Sequence, residues 1–165
     1  MARARDIEAI APDATFGEAA AGAVRTRAEE VFEFGHRVLD VTDIEAVHDM
    51  RVATRRLRAA MEVYAPAFPR KAYESALADV KGLADDLGAR RDPDVAIEQL
   101  RRIQAGMPQD AHAGVEHLVD SLAERQAKGN ERLAARLASV GDDRLKERLD
   151  ALADMARTPK RGGES

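Results

Sequence analysis

The sequence predicts an all-α fold, an antiparallel helical bundle of about six helices. Three observations predict it. The 165 residues are 45% hydrophobic, dominated by Ala and aliphatics, with only 4% aromatic and 34% charged residues. That mixture has few β-branched runs and favours helix. Apolar residues recur at helical spacing through successive segments, and short polar or Gly/Pro breaks separate those segments. No strand pattern competes.

Each helix has its own local reason. Thr15-Phe-Gly-Glu18 reads as a capping box and opens a helix to about Leu39. Phe16, Ala20, Val24, Ala28, Val31 and Phe34 form its apolar stripe. Thr42-Asp-Ile-Glu45 reads as a second capping box, opening a helix from about Asp43 to Tyr64 that stops before Pro66 and Pro69. A third helix runs from about Arg70 to Leu87, with Tyr73, Leu77, Val80, Leu83 and Leu87 inward and Gly88 as its stop. Asp92-Pro93 has the form of an N-cap followed by proline at the first helical position, giving a short fourth helix to about Ile103. Gly106 and Pro108 break it. Asp110 to Val140 is helical again, with a weak point near Gly129. Gly141 ends that helix, and Asp142 caps a last one through about Met155. The expected organisation is one bundle over residues 13–157, an N-terminal arm at 1–12 and a flexible tail at 158–165.

The composition also excludes chemistry. There is no cysteine, so disulfides, thiolate metal sites and thiol nucleophiles are absent. No apolar run approaches the roughly 18 residues of a membrane span. Met1 to Ile10 has basic residues but no apolar core, so no secretory signal is read and a cytoplasmic protein is expected. The net charge of −4 argues against a general nucleic-acid binder. Its distribution is uneven. Residues 48–91 hold nine Lys/Arg against six Asp/Glu, a local +3, which leaves −7 elsewhere. A confined anion site fits that pattern better than a broad basic surface.

The charge concentrates in His48-Asp-Met-Arg-Val-Ala-Thr-Arg-Arg-Leu-Arg58. On a helix, His48, Arg51, Arg55 and Arg58 fall within roughly 80° of one another. Met50, Ala53, Leu57 and Met61 occupy a neighbouring apolar face. Guanidinium groups fork onto phosphate oxygens and keep their charge at any relevant pH. A solvated charged face is the other reading, but such faces interleave Glu four residues from Arg. Here no such residue follows until Glu62, four after Arg58.

These residues resemble the signature helix of the CHAD domain, the conserved-histidine α-helical domain. Leu87-Gly-Ala-Arg-Arg-Asp92-Pro-Asp-Val95 is similar to a second element of that family, and the spacing between the two also fits. The likeness covers roughly residues 13 to 157. It implies a helical bundle that binds inorganic polyphosphate along a basic groove and associates with polyphosphate granules. Carried over by position, His48, Arg51, Arg55 and Arg58 would line the groove, and Lys81 and Arg91 would face it from the third helix and its end. Arg56 belongs to the motif but points about 80° to the other side of His48. Arg90 is a possible further contact. Asp92 is read as a helix cap rather than a ligand contact. Full-length members look like two related halves. This chain has one signature helix and resembles one half, so a symmetric homodimer is expected to complete the channel.

Arg125, Lys128, Arg132 and Arg136 form a second basic row. Glu124 and Glu131 among them favour a solvated face. If that helix lay beside the second, the two rows would be opposite banks of one groove. His36, His112 and His117 are scattered, and Asp85-Asp86 and Asp142-Asp143 read as helix-end and loop residues, so no metal site is expected. No phosphate-binding Gly loop, nucleophile elbow or Ser/His/Asp set is evident. No cofactor is implied. The competing readings are a helical nucleic-acid-binding protein and a granule-coating interaction protein that uses apolar helix faces. An enzyme acting on phosphate chains ranks last.

Overall fold

A computed structural model describes residues 4–7, 10–140 and 142–157; at residues 36, 139, 140, 142 and 143 only the backbone is described. It is all-helical, with no strand among the described residues. Five α-helices follow in order: α1 Phe16–Phe32, α2 Ile44–Val63, α3 Arg70–Gln104, α4 His112–Val140 and α5 Asp142–Asp154. Short 3-10 turns at Gly35–Leu39, Ala65–Ala67 and Gln109–Ala111 join them.

The first capping box forms as expected. The Thr15 hydroxyl accepts from the Glu18 amide, and the Thr15 amide donates to the Glu18 carboxylate at 2.8 Å. The Thr15 hydroxyl also donates to the Glu18 carboxylate at 2.7 Å, and that bond, then the one from the Thr15 amide, holds the Glu18 carboxyl below its ordinary value. The helix ends at Phe32 instead of Leu39, because Gly35 takes a positive φ of 46° and the chain continues as a 3-10 turn. The second cap is Asp43, whose carboxylate accepts from the Ala46 amide at 3.0 Å. Thr42, the expected cap, instead donates through its amide and its hydroxyl to Asp40.

The largest departure is α3. The expected third and fourth helices are one continuous helix of 35 residues that passes through Gly88 and Pro93. A glycine and a proline inside a helix cost roughly 1 and 3 kcal/mol. Tertiary contacts outweigh that cost. Pro93 is buried, and the turn around it is spanned by Arg90 and Asp94, both buried and ion-paired at 2.8 Å. Asp92 therefore lies inside a helix and does not cap one. Gly129 is likewise no weak point: α4 runs through it, buried. A Cβ there would stand 2.9 Å from the Ala89 carbonyl, the oxygen that Pro93 has no N–H to satisfy. The bare glycine lets α4 close on α3. Gly141, the expected break before α5, and the tail 158–165 lie outside the described residues.

The helices α1, α2, α3 and α5 pack as a ring around one core. Val24, Val31, Val47, Met50, Leu57, Met61, Val80, Leu83, Leu149 and Leu152 are buried there. The C-terminal half of α4 closes the ring through Leu133 and Leu137, and α4 packs along α3. Beyond this core the long α3–α4 hairpin is zipped by Val115 and Val119 and by Arg101 and Gln104 donating to Glu116. The described part of the N-terminal arm docks on α1, where the Arg5 amide donates to the buried Glu30 at 2.6 Å.

Candidate functional site

Helix α2 makes the site because two periodic patterns share it. Met50, Ala53, Leu57 and Met61 go into the core, which fixes the rotation of the helix. The basic positions then fall on its outer flank toward α3. There, His48, Arg51, Arg55 and Arg58 line one cavity of about 400 Å³, with Ala84 and Asp85 of α3 on the other side. Val52 and Thr54 complete the lining. The Thr54 hydroxyl is occupied, donating to the Met50 carbonyl at 2.8 Å. Successive members of the row are three, four and three residues apart, a rise of roughly 5 Å each.

The four side chains are not equivalent. Arg51 donates to Asp92 at 3.1 Å, an exposed pair. Arg58 lies 3.5 Å from Glu62. Arg55 is exposed and makes no ion pair or side-chain hydrogen bond among the described residues. His48 is half-buried. Asp85 is the acidic residue in the lining of this trough, and Asp92 and Glu62 stand beside Arg51 and Arg58, so Arg55 is the trough arginine with no carboxylate partner among the described residues. Like charges at this spacing repel unless an anion lies among them.

The structure brings together the four residues expected on α2 and leaves the others elsewhere. Lys81 is exposed on α3 but is not among the residues that line the trough. Arg91 turns inward: its side chain is 12% exposed and lies 3.8 Å from Asp94. Arg56 is half-buried, with one terminal nitrogen enclosed, and stands outside the lining. Arg90 is no anion contact. It is 0% exposed, donates to both Asp94 oxygens at 2.8 and 2.9 Å, and donates through Nε to Asn130 at 3.1 Å. Asn130 in turn donates to the Leu39 carbonyl at 3.1 Å, and Gln126 donates to Asp94. This network ties α3, α4 and the turn after α1 together, so Arg90 has a structural role.

The second basic row is not an opposite bank. Helix α4 packs along α3, and α3 stands between the row on α4 and the row on α2. Arg125 and Lys128 are exposed there. Arg132 donates to Asp86 at 3.0 Å, and Arg136 donates to the other oxygen of the same carboxylate.

Sequence reasoning missed Asp85 as a trough residue and Asp86 as an arginine holder. Both were read as helix-end residues because α3 was expected to stop at Leu87. Asp85, four residues after Lys81, shares its helix face, whereas Asp86 lies about 100° further round and meets partners distant in sequence. Among the described residues, no group of three His, Asp or Glu could hold a metal ion. His112 lies 3.2 Å from the Met107 carbonyl in its own loop. No helix among the described residues is long and apolar enough to cross a membrane.

A family model described as the CHAD domain matches residues 22–165. Two proteins of Mycobacterium tuberculosis are similar to the chain. Uncharacterized protein Rv2226, of strain ATCC 25618 / H37Rv, is 33% identical over 123 residues, covering 73% of this chain and 24% of the relative. Uncharacterized protein MT2285, of strain CDC 1551 / Oshkosh, is 32% identical over 123 residues with the same coverage. The chain thus spans about a quarter of the length of these relatives. No solved structure matches it.

Proposed function

We propose, from the premise that the chain belongs to the CHAD domain family, that it binds inorganic polyphosphate in the trough between α2 and α3 and does no chemistry on it. CHAD domains are linked in general to polyphosphate binding and are in general non-catalytic binding domains. One observation carries the reading to this chain: His48, Arg51, Arg55 and Arg58 line a single cavity, and the Arg55 guanidinium is not tied to any described side chain. Forked N–H donors on one helix suit a string of phosphates, each with its own anionic oxygens. The imidazole of His48 adds a donor at one end of the row. Binding of this kind falls as salt rises.

The trough is open on one side. A second copy of the chain, related by twofold symmetry, would supply the missing wall, so the bound form is a homodimer held at polyphosphate granules. Sedimentation of the protein with and without polyphosphate tests this. A monomer that binds tightly refutes the dimer.

Calorimetric titration with polyphosphate of defined length, at two salt concentrations, tests the site. Arg55→Ala should weaken binding by about tenfold or more with the fold intact. Unchanged affinity would defeat the assignment. Displacement of the bound chain by DNA at equal phosphate charge would favour a nucleic-acid ligand instead.

A further inference from the structure

The trough has a counterpart across α3. Asp85 lines the trough, and Asp86, about 100° further round the helix, faces α4. The Asp86 side chain is 5% exposed and accepts from both Arg132, at 3.0 Å, and Arg136. These three residues and Ala135 line a second concavity of about 380 Å³. The seat is built in part by a missing side chain. A Cβ on Gly82 would stand 2.7 Å from the Arg136 guanidinium, so any larger residue would push that group out.

Two guanidinium groups converge on one carboxylate, and Asp86 fixes their positions. Arg132 remains 67% exposed and uses one of its five N–H donors on Asp86. The rest are open to solvent. Lys81 lies on the exposed side of α3, one turn before Asp85.

Resting on the polyphosphate reading above, we infer that Arg132 and Arg136 form a second phosphate station, which a chain reaches by leaving the trough and crossing α3 beside Lys81. An α-helix with its side chains is about 10 Å across. Several linked phosphates are needed to touch both stations, and a short chain is confined to one. The second station therefore sets a preference for long chains.

The test is calorimetry on the full chain with two probes, tripolyphosphate and long-chain polyphosphate, at low salt. Arg132→Ala should weaken long-chain binding by about fivefold to tenfold and leave tripolyphosphate within about twofold. Arg132→Lys, which keeps the charge, should recover part of the loss. Arg55→Ala should weaken both probes. Equal loss on both probes, or unchanged long-chain affinity in Arg132→Ala, overturns the second station while leaving the trough standing. No binding of either probe to the unsubstituted protein overturns the trough reading itself. Circular dichroism melts of Arg132→Ala separate lost binding from lost fold.

Discussion

One guanidinium nitrogen of Arg51 stands 3.1 Å from a carboxylate oxygen of Asp92, so α2 and α3 are joined at one end of the trough. The pair is exposed at both ends. Exposed pairs contribute little to stability, roughly 0.2–1 kcal/mol. On the proposed polyphosphate reading, Asp92 would compete with phosphate for Arg51, so the pair should matter more to binding than to folding. Asp92→Asn should tighten polyphosphate binding by about twofold to fivefold at low salt and leave the melting temperature nearly unchanged. Titration and a thermal melt check both halves. Weaker binding would mean that Asp92 orients Arg51 instead of competing for it.

The Arg90 network gives the opposite pattern. Arg90→Ala leaves Asp94 buried without its main partner, which costs about 3–5 kcal/mol. Urea denaturation should show this as a large fall in midpoint. A loss below about 1 kcal/mol would show that Gln126 and Arg91 suffice to hold Asp94.

Two glycines of the hairpin should respond with opposite sign. Gly129→Ala drives a methyl group into the Ala89 carbonyl and should destabilise by about 1–3 kcal/mol. Gly88→Ala meets nothing within 4 Å and sits inside a helix, so it should stabilise by about 1 kcal/mol. Paired denaturation curves measure both. Equal effects of the same sign would contradict the close approach of α3 and α4 at Gly129.

Acid should loosen the far end of the hairpin. The hydrogen bond from Arg101, then that from Gln104, holds the Glu116 carboxyl below its ordinary value. A group depressed in the folded state stabilises it above the unfolded value, and that contribution disappears as pH falls through the folded one. The contact should therefore persist at neutral pH and fail only below the usual carboxylate range. Carboxyl chemical shifts of Glu116 and the side-chain amide signal of Gln104 report it. A Glu116 that titrates in the ordinary range would refute the contact.

What was legible in the sequence was local. The Thr15 cap, the extent of α2 and the common face of His48, Arg51, Arg55 and Arg58 all follow from spacings within a turn or two. Where two neighbours compete for one task, as Thr42 and Asp43 do for the second cap, the choice depended on Asp40, which claims Thr42. Gly88 and Pro93 misled because local breakers were weighed without the burial that holds α3 straight. Asp86 could not be read at all. Its partners are 46 and 50 residues away, and only the crossing of α4 over α3 brings them to it.

The His48 imidazole and the three guanidinium groups of the trough hang from one unbroken helix, so the backbone repeat itself acts as their ruler. Lengthening any connecting turn would leave the interval between neighbouring heads untouched. One residue inserted between His48 and Arg58 would swing the downstream heads through more than a quarter of a circle and scatter the row. On the proposed reading, changes at the joints would spare the row, whereas a miscount along this single stretch would undo it.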